Sequence, residues 1–153
     1  MRTPTSLRGH PLHPILVAIP IGLFVFSVIA DIIYLAHWGA PHWRSVAYFN
    51  LAAGIISALI AAVPGFIDLL SVTDCTMKKI GVVHMCVMLL TVVIFAIGFW
   101  MRHSGQYAHS TTFIISLIGL FTLLVGGWWG AKLVHIFGMT IEEDRTARPE
   151  RFS

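Results

Sequence analysis

The sequence predicts an all-α integral membrane protein: one up-down bundle of four transmembrane helices with both termini on the cytoplasmic side. Three observations carry this expectation. The chain has 153 residues, 57% of them hydrophobic and only 11% charged, which is far too apolar for a soluble domain of this size. Four apolar stretches each approach or exceed the ~20 residues needed to cross hydrocarbon, and lipid offers backbone amides no partner, so such stretches must be helices. Finally, Arg2, Arg8, Lys78, Lys79, Lys132, Arg145, Arg148 and Arg151 fall on the side of the termini and only Arg44 and Arg102 on the other, the bias of a positive-inside chain. The same distribution accounts for the net charge of +3 without a nucleic-acid partner, because the basic residues flank apolar runs and form no stripe.

The first span is expected over residues 14–38. It follows a charged head as a signal peptide would, but it exceeds the usual apolar core of about 7 to 15 residues and lacks a clear small-residue cleavage site. Pro14 suits the first turn of a helix, and Pro11 keeps the approach extended. The remaining spans are expected over residues 46–70, 80–101 and 113–137, joined by short connections at 39–45, 71–79 and 102–112, so consecutive helices should be antiparallel neighbours. Residues 1–139 then form one transmembrane domain, and 140–153 a polar cytoplasmic tail. No internal repeat is evident in the residues. Cys75, in a predicted connection, and Cys86, inside a span, form no disulfide framework or CxxC pair.

Helical spacing assigns faces. His13, Val17, Pro20, Phe24, Ser27 and Asp31 recur at steps of three and four, as do His84, Met88, Thr91, Phe95, Gly98 and Arg102, so each of these helices carries an inner histidine and an outer charge on one face. The second span has a stripe of small residues, Ala47, Asn50, Gly54, Ala58, Ala61 and Gly65, ending at Asp68; the fourth has Ser116, Gly119, Gly126 and Gly130. Small residues let helices approach closely. Asp31 is expected to pair with Arg102 or Arg44, and Trp38, Trp43 and Trp100 to lie in an aromatic belt.

Eight histidines fall into two layers. His37, His42, His103 and His109 belong to the outer connections and read as solvent-exposed imidazoles. His10, His13, His84 and His135 lie on the cytoplasmic side, with Asp68 and Lys132 near them. In an up-down bundle the first and third helices are diagonal, so His13 and His84 face each other across the axis. Two chemistries suit that pair. A b-type haem takes two axial histidines in an apolar pocket, with Gly126, Gly127 and Gly130 giving clearance for its edge. A zinc, iron or copper ion would take ligands from His13, His84, His10, His135 and Asp68. The bland alternatives remain: His13 as a helix-end group, His84 hydrogen-bonded to Asp68 or a backbone carbonyl, and Asp68 paired with Lys132. No nucleophilic triad or phosphate-cradling loop is present.

The opening run HPLHPILVAIPIGLFVFSVIAD, the PGFID at 64–68, the lone His84 at the start of the third span and the GWWGAKLV at 127–134 resemble a bacterial four-span membrane family that begins with an HPxHP motif and is catalogued as a domain of unknown function. The resemblance covers nearly all of the chain except its tails. It implies that His10, His13 and His84 are the motif positions, that Rieske-type iron–sulfur proteins occur as partners, and that the family is akin to four-helix membrane cytochromes holding b-type haem between histidines. The family pattern closes with Tyr-x-His-Gly, whereas here His135, Ile136, Phe137 and Gly138 stand, and two residues turn a helix by about 200°.

These readings converge on a small protein of the bacterial inner membrane that passes electrons through a b-type haem and does not transform a substrate at a dedicated site. Its partners would be lipid, a redox protein or quinone, and a second copy of the chain. A divalent-metal binder or transporter using the same histidines is the alternative, and a structural accessory subunit of a redox complex is a third.

Overall fold

The computed structural model describes residues 4–7, 10–38 and 41–135. Two short strands, β1 (Ser6–Leu7) and β2 (His10–Pro11), pair antiparallel and lead into α1 (Leu12–Leu16). A turn at Val17 separates α1 from α2 (Ala18–Leu35), and three long helices follow: α3 (His42–Ser71), α4 (Cys75–Ser104) and α5 (His109–His135). Four helical segments, with α1 and α2 counted as one, are long and apolar enough to cross a membrane. Their outer faces agree with that, since Ile60, Val63, Leu90, Val93, Phe121 and Leu124 are all more than half exposed, as side chains against lipid should be.

The helices depart from the expected bounds for identifiable reasons. The first begins at Leu12, two residues early, and Pro14 sits in its first turn, where a missing N–H costs nothing. It ends at Leu35, before Trp38, because His37 adopts a left-handed φ of 56°. α4 starts at Cys75 and takes in Lys78 and Lys79, five residues before the bound expected from hydropathy. The Asp74 side chain accepts from Met77 N at 2.7 Å and caps it, satisfying one of the orphan N–H groups of the first turn. Gly105, at φ 66°, closes its far end, a conformation that favours glycine. Residues 136–137, the expected end of the fourth span, and the tail at 140–153 lie outside the described residues.

Within the bundle α2 packs closely on α3 and α4 on α5, while contact between these two hairpins is sparser. The faces expected from spacing are the buried ones: Pro20, Phe24, Ser27 and Asp31 on α2, and Thr91, Phe95, Gly98 and Arg102 on α4. Phe24 and Phe95 stack at 4.0 Å with their planes 9° apart, at the centre of a core completed by Leu51 and Leu123. The small residues do more than let helices approach. A Cβ added at Gly54 would lie 2.7 Å from the Phe24 ring, and one at Gly119 would lie 2.9 Å from the Phe95 ring, so each glycine leaves the space that a ring fills.

Candidate functional site

At the end of the bundle where α1 begins, His13 and His84 face each other with ring centroids 6.3 Å apart and planes at 80°. Each ring is fixed from behind. His13 Nδ1 lies 2.8 Å from the Ala61 carbonyl on α3, and His84 Nδ1 lies 2.8 Å from the Gly126 carbonyl on α5. A carbonyl only accepts, so each Nδ1 carries the proton and each Nε2 keeps a lone pair. Glycines seat the rings: a Cβ at Gly65 would be 2.6 Å from His13 Nδ1, and one at Gly130 would be 2.9 Å from His84 Cε1. Such backing holds an imidazole in one tautomer and one orientation and raises its basicity as a ligand.

Both imidazoles line a cavity of about 390 Å³, within the ~300–1,000 Å³ range of ligand and cofactor sites. Its walls are otherwise almost wholly apolar, drawn from α2 (Pro20, Phe24), α3 (Ala58, Leu69), α4 (Met85, Met88) and α5 (Gly127, Ala131). It therefore lies between the two hairpins, and each hairpin contributes one histidine.

The other candidates divide. Gly127 lines the cavity with nothing within 4 Å of an added Cβ, whereas the space at Gly126 is taken by Met88 and that at Gly130 by His84. Asp68 is buried and reaches the cavity wall, but its Oδ1 accepts from Thr5 N at 3.1 Å and Thr5 Oγ1 at 2.6 Å. It bonds neither His84 nor Lys132. The Lys132 ammonium lies instead 4.5 Å from the centre of the Trp129 ring, a cation–π placement. His10 is exposed on β2 and does not line the cavity. The side chain of His135 lies outside what the structure describes. Among the described residues no group of three or more His, Cys, Asp or Glu converges as a metal site.

At the opposite end the outer layer is not uniformly solvated. His37 and His42 are exposed as expected. His109 is not: its side chain is 9% exposed, its Nε2 lies 3.1 Å from Asp31 Oδ1 without the alignment of a hydrogen bond, and its ring packs edge-on against Tyr34. The turn Gly105–Ala108 had placed it among loop residues on composition alone. His103 bonds the Tyr48 hydroxyl at 3.1 Å. Asp31 pairs with Arg102, as expected, and Arg102 Nη2 also donates to Ser116 Oγ at 3.1 Å. Charges that deep are tolerated only when paired.

The fold and site thus define a four-span helical membrane protein with a pair of backed histidines at one end of an apolar interior cavity. The chain belongs to the family described as predicted membrane protein (DUF2231), which it matches over residues 9–143. No curated protein and no solved structure matches it.

Proposed function

We propose that this protein is a b-type haem-binding electron carrier of the bacterial cytoplasmic membrane, with His13 and His84 as axial ligands near the cytoplasmic leaflet. The observation that carries the reading is the pair itself: two imidazoles 6.3 Å apart, each with Nδ1 on a carbonyl and with no hydrogen bond to Nε2 among the described residues. Two imidazoles on opposite sides of one metal, each nitrogen about 2 Å from it and about 1.1 Å from its own ring centre, have ring centres about 6 Å apart. Two nitrogens are half of what a structural zinc ion takes, whereas a haem brings its own equatorial nitrogens and asks the protein for axial ligands and an apolar pocket. The donor set and the cavity at Phe24, Met88 and Gly127 fit that demand.

When bound, the haem supplies the one-electron chemistry. The chain's residues would hold and insulate it: the Ala61 and Gly126 carbonyls fix the tautomer and orientation of both imidazoles, Gly65 and Gly130 keep the rings seated, and the apolar walls exclude water. Apart from the two imidazoles and Asp68, which Thr5 holds by two hydrogen bonds, the cavity wall is apolar, and the protein would exchange electrons with a membrane quinone or a redox protein such as a Rieske-type partner. The test is a visible spectrum of the purified protein, oxidised and dithionite-reduced, after expression with ample haem. A Soret band with reduced-state sharpening supports the reading. A colourless wild type that carries zinc, iron or copper by elemental analysis, lost in His84→Ala, would replace it with a metal-ion site.

A further inference from the structure

The contacts bring out a repeat that the residues read in order do not make evident, and this corrects the expectation of none. His13 and His84, Phe24 and Phe95, and Asp31 and Arg102 are each separated by one interval of 71 residues, and a second fixed interval relates Gly54 to Gly119, Ala61 to Gly126 and Gly65 to Gly130. Each correspondence is a matched role. The two histidines bond carbonyls of corresponding residues at the same 2.8 Å, and the four glycines seat the corresponding rings. In addition, three residues touch their own counterparts: His13 with His84, Phe24 with Phe95, and Asp31 with Arg102. Contact between a residue and its own counterpart occurs only where a two-fold axis passes. The axis therefore runs from the histidine pair through the phenylalanine stack to the ion pair, about 27 Å further along by helical rise.

We infer that the two hairpins are copies of one unit and that the His13/His84 site is a single two-fold binding site shared between them, which takes one ligand per chain and holds it equally from both sides. This rests on the haem reading above and adds its stoichiometry and symmetry. The matched carbonyl and glycine behind each imidazole make them like donors, so the ligand is one that presents two like, opposed coordination positions. The far end of the axis carries Asp31 and Arg102 in place of a second histidine pair, so no second haem belongs there. The opposite charges also select the pairing. Two copies of the first hairpin would bring Asp31 against Asp31, and two of the second would bring Arg102 against Arg102, both buried and repulsive.

The test measures haem per chain in the wild type and in the single variants His13→Gly and His84→Gly, each with and without added imidazole, after gel filtration confirms a folded monodisperse chain. The expected result is one haem per chain, loss of the six-coordinate spectrum in both variants, and its recovery by imidazole to the same extent in each. Where a glycine variant does not fold, His13→Met and His84→Met supply the same comparison, with equal band shifts expected. Two haems per chain, or one variant that keeps the wild-type spectrum while the other loses it, would overturn the shared site and leave haem binding standing. A wild type without haem removes both readings.

Discussion

Asp31 and Arg102 occupy corresponding positions in the two hairpins and meet as an ion pair, with side chains 0% and 3% exposed. Removing one partner strands the other in a low-dielectric interior, which costs about 3–5 kcal/mol. Asp31→Leu and Arg102→Leu should each lower thermal stability in detergent by that order. The double variant should recover most of the loss, because two leucines leave no charge to solvate. A double variant as unstable as the sum of the singles would mean that the pair contributes independently of charge.

The glycines beneath the histidines should be far less tolerant than the one beside them. An added Cβ at Gly130 or Gly65 enters the space of an imidazole ring, whereas one at Gly127 meets nothing within 4 Å. Overpacking of this kind costs about 1–3 kcal/mol. Gly130→Ala and Gly65→Ala should shift or weaken the haem spectrum in a chain that still folds, and Gly127→Ala should leave the thermal stability of the haem-free chain unchanged.

Phe24 is 1% exposed and stacked on Phe95, so truncation opens a void on the axis that neighbours cannot fill. Phe24→Ala should cost about 3–5 kcal/mol, and Phe24→Leu distinctly less, read as unfolding midpoints of the purified protein.

Thr5 gives Asp68 two hydrogen bonds, one from its backbone and one from its hydroxyl. Thr5→Val removes only the second and should cost about 0.5–1.5 kcal/mol. Asp68→Leu removes the single oxygen that accepts both bonds and should release the β1–β2 segment, measured as faster proteolysis ahead of α1 with the four spans intact.

The buried faces of α2 and α4 were legible because every third or fourth residue from His13 and from His84 is one that must be hidden, and burial imposes the helical period. Hydropathy was a poorer guide to helix ends. It reports what lipid accepts, and α4 begins five residues outside that zone, where Asp74 caps it. The diagonal approach of His13 to His84 followed from helix order alone. A backbone carbonyl was among the partners expected for His84, but which carbonyl it is, Gly126, and the Ala61 carbonyl behind His13 leave no mark in residue identity. Asp68 was assigned to the wrong partners because Thr5 lies outside any apolar run, and His109 to solvent because a loop composition says nothing about an ion pair beneath it. The repeat is faint in the residues for a related reason: the identical pairs His13/His84, Phe24/Phe95, Gly54/Gly119 and Gly65/Gly130 are scattered among unlike residues, and only the contacts give them a common role.

Each hairpin starts and finishes at the same end of the bundle, and that evenness has an evolutionary consequence. A unit with an odd number of crossings, copied in tandem, would emerge upside down and need its flanking charges rewritten before it could insert. An even unit imposes no such demand. A second copy keeps the vectorial sense of the first on arrival, so its flanking charges need no exchange before it inserts.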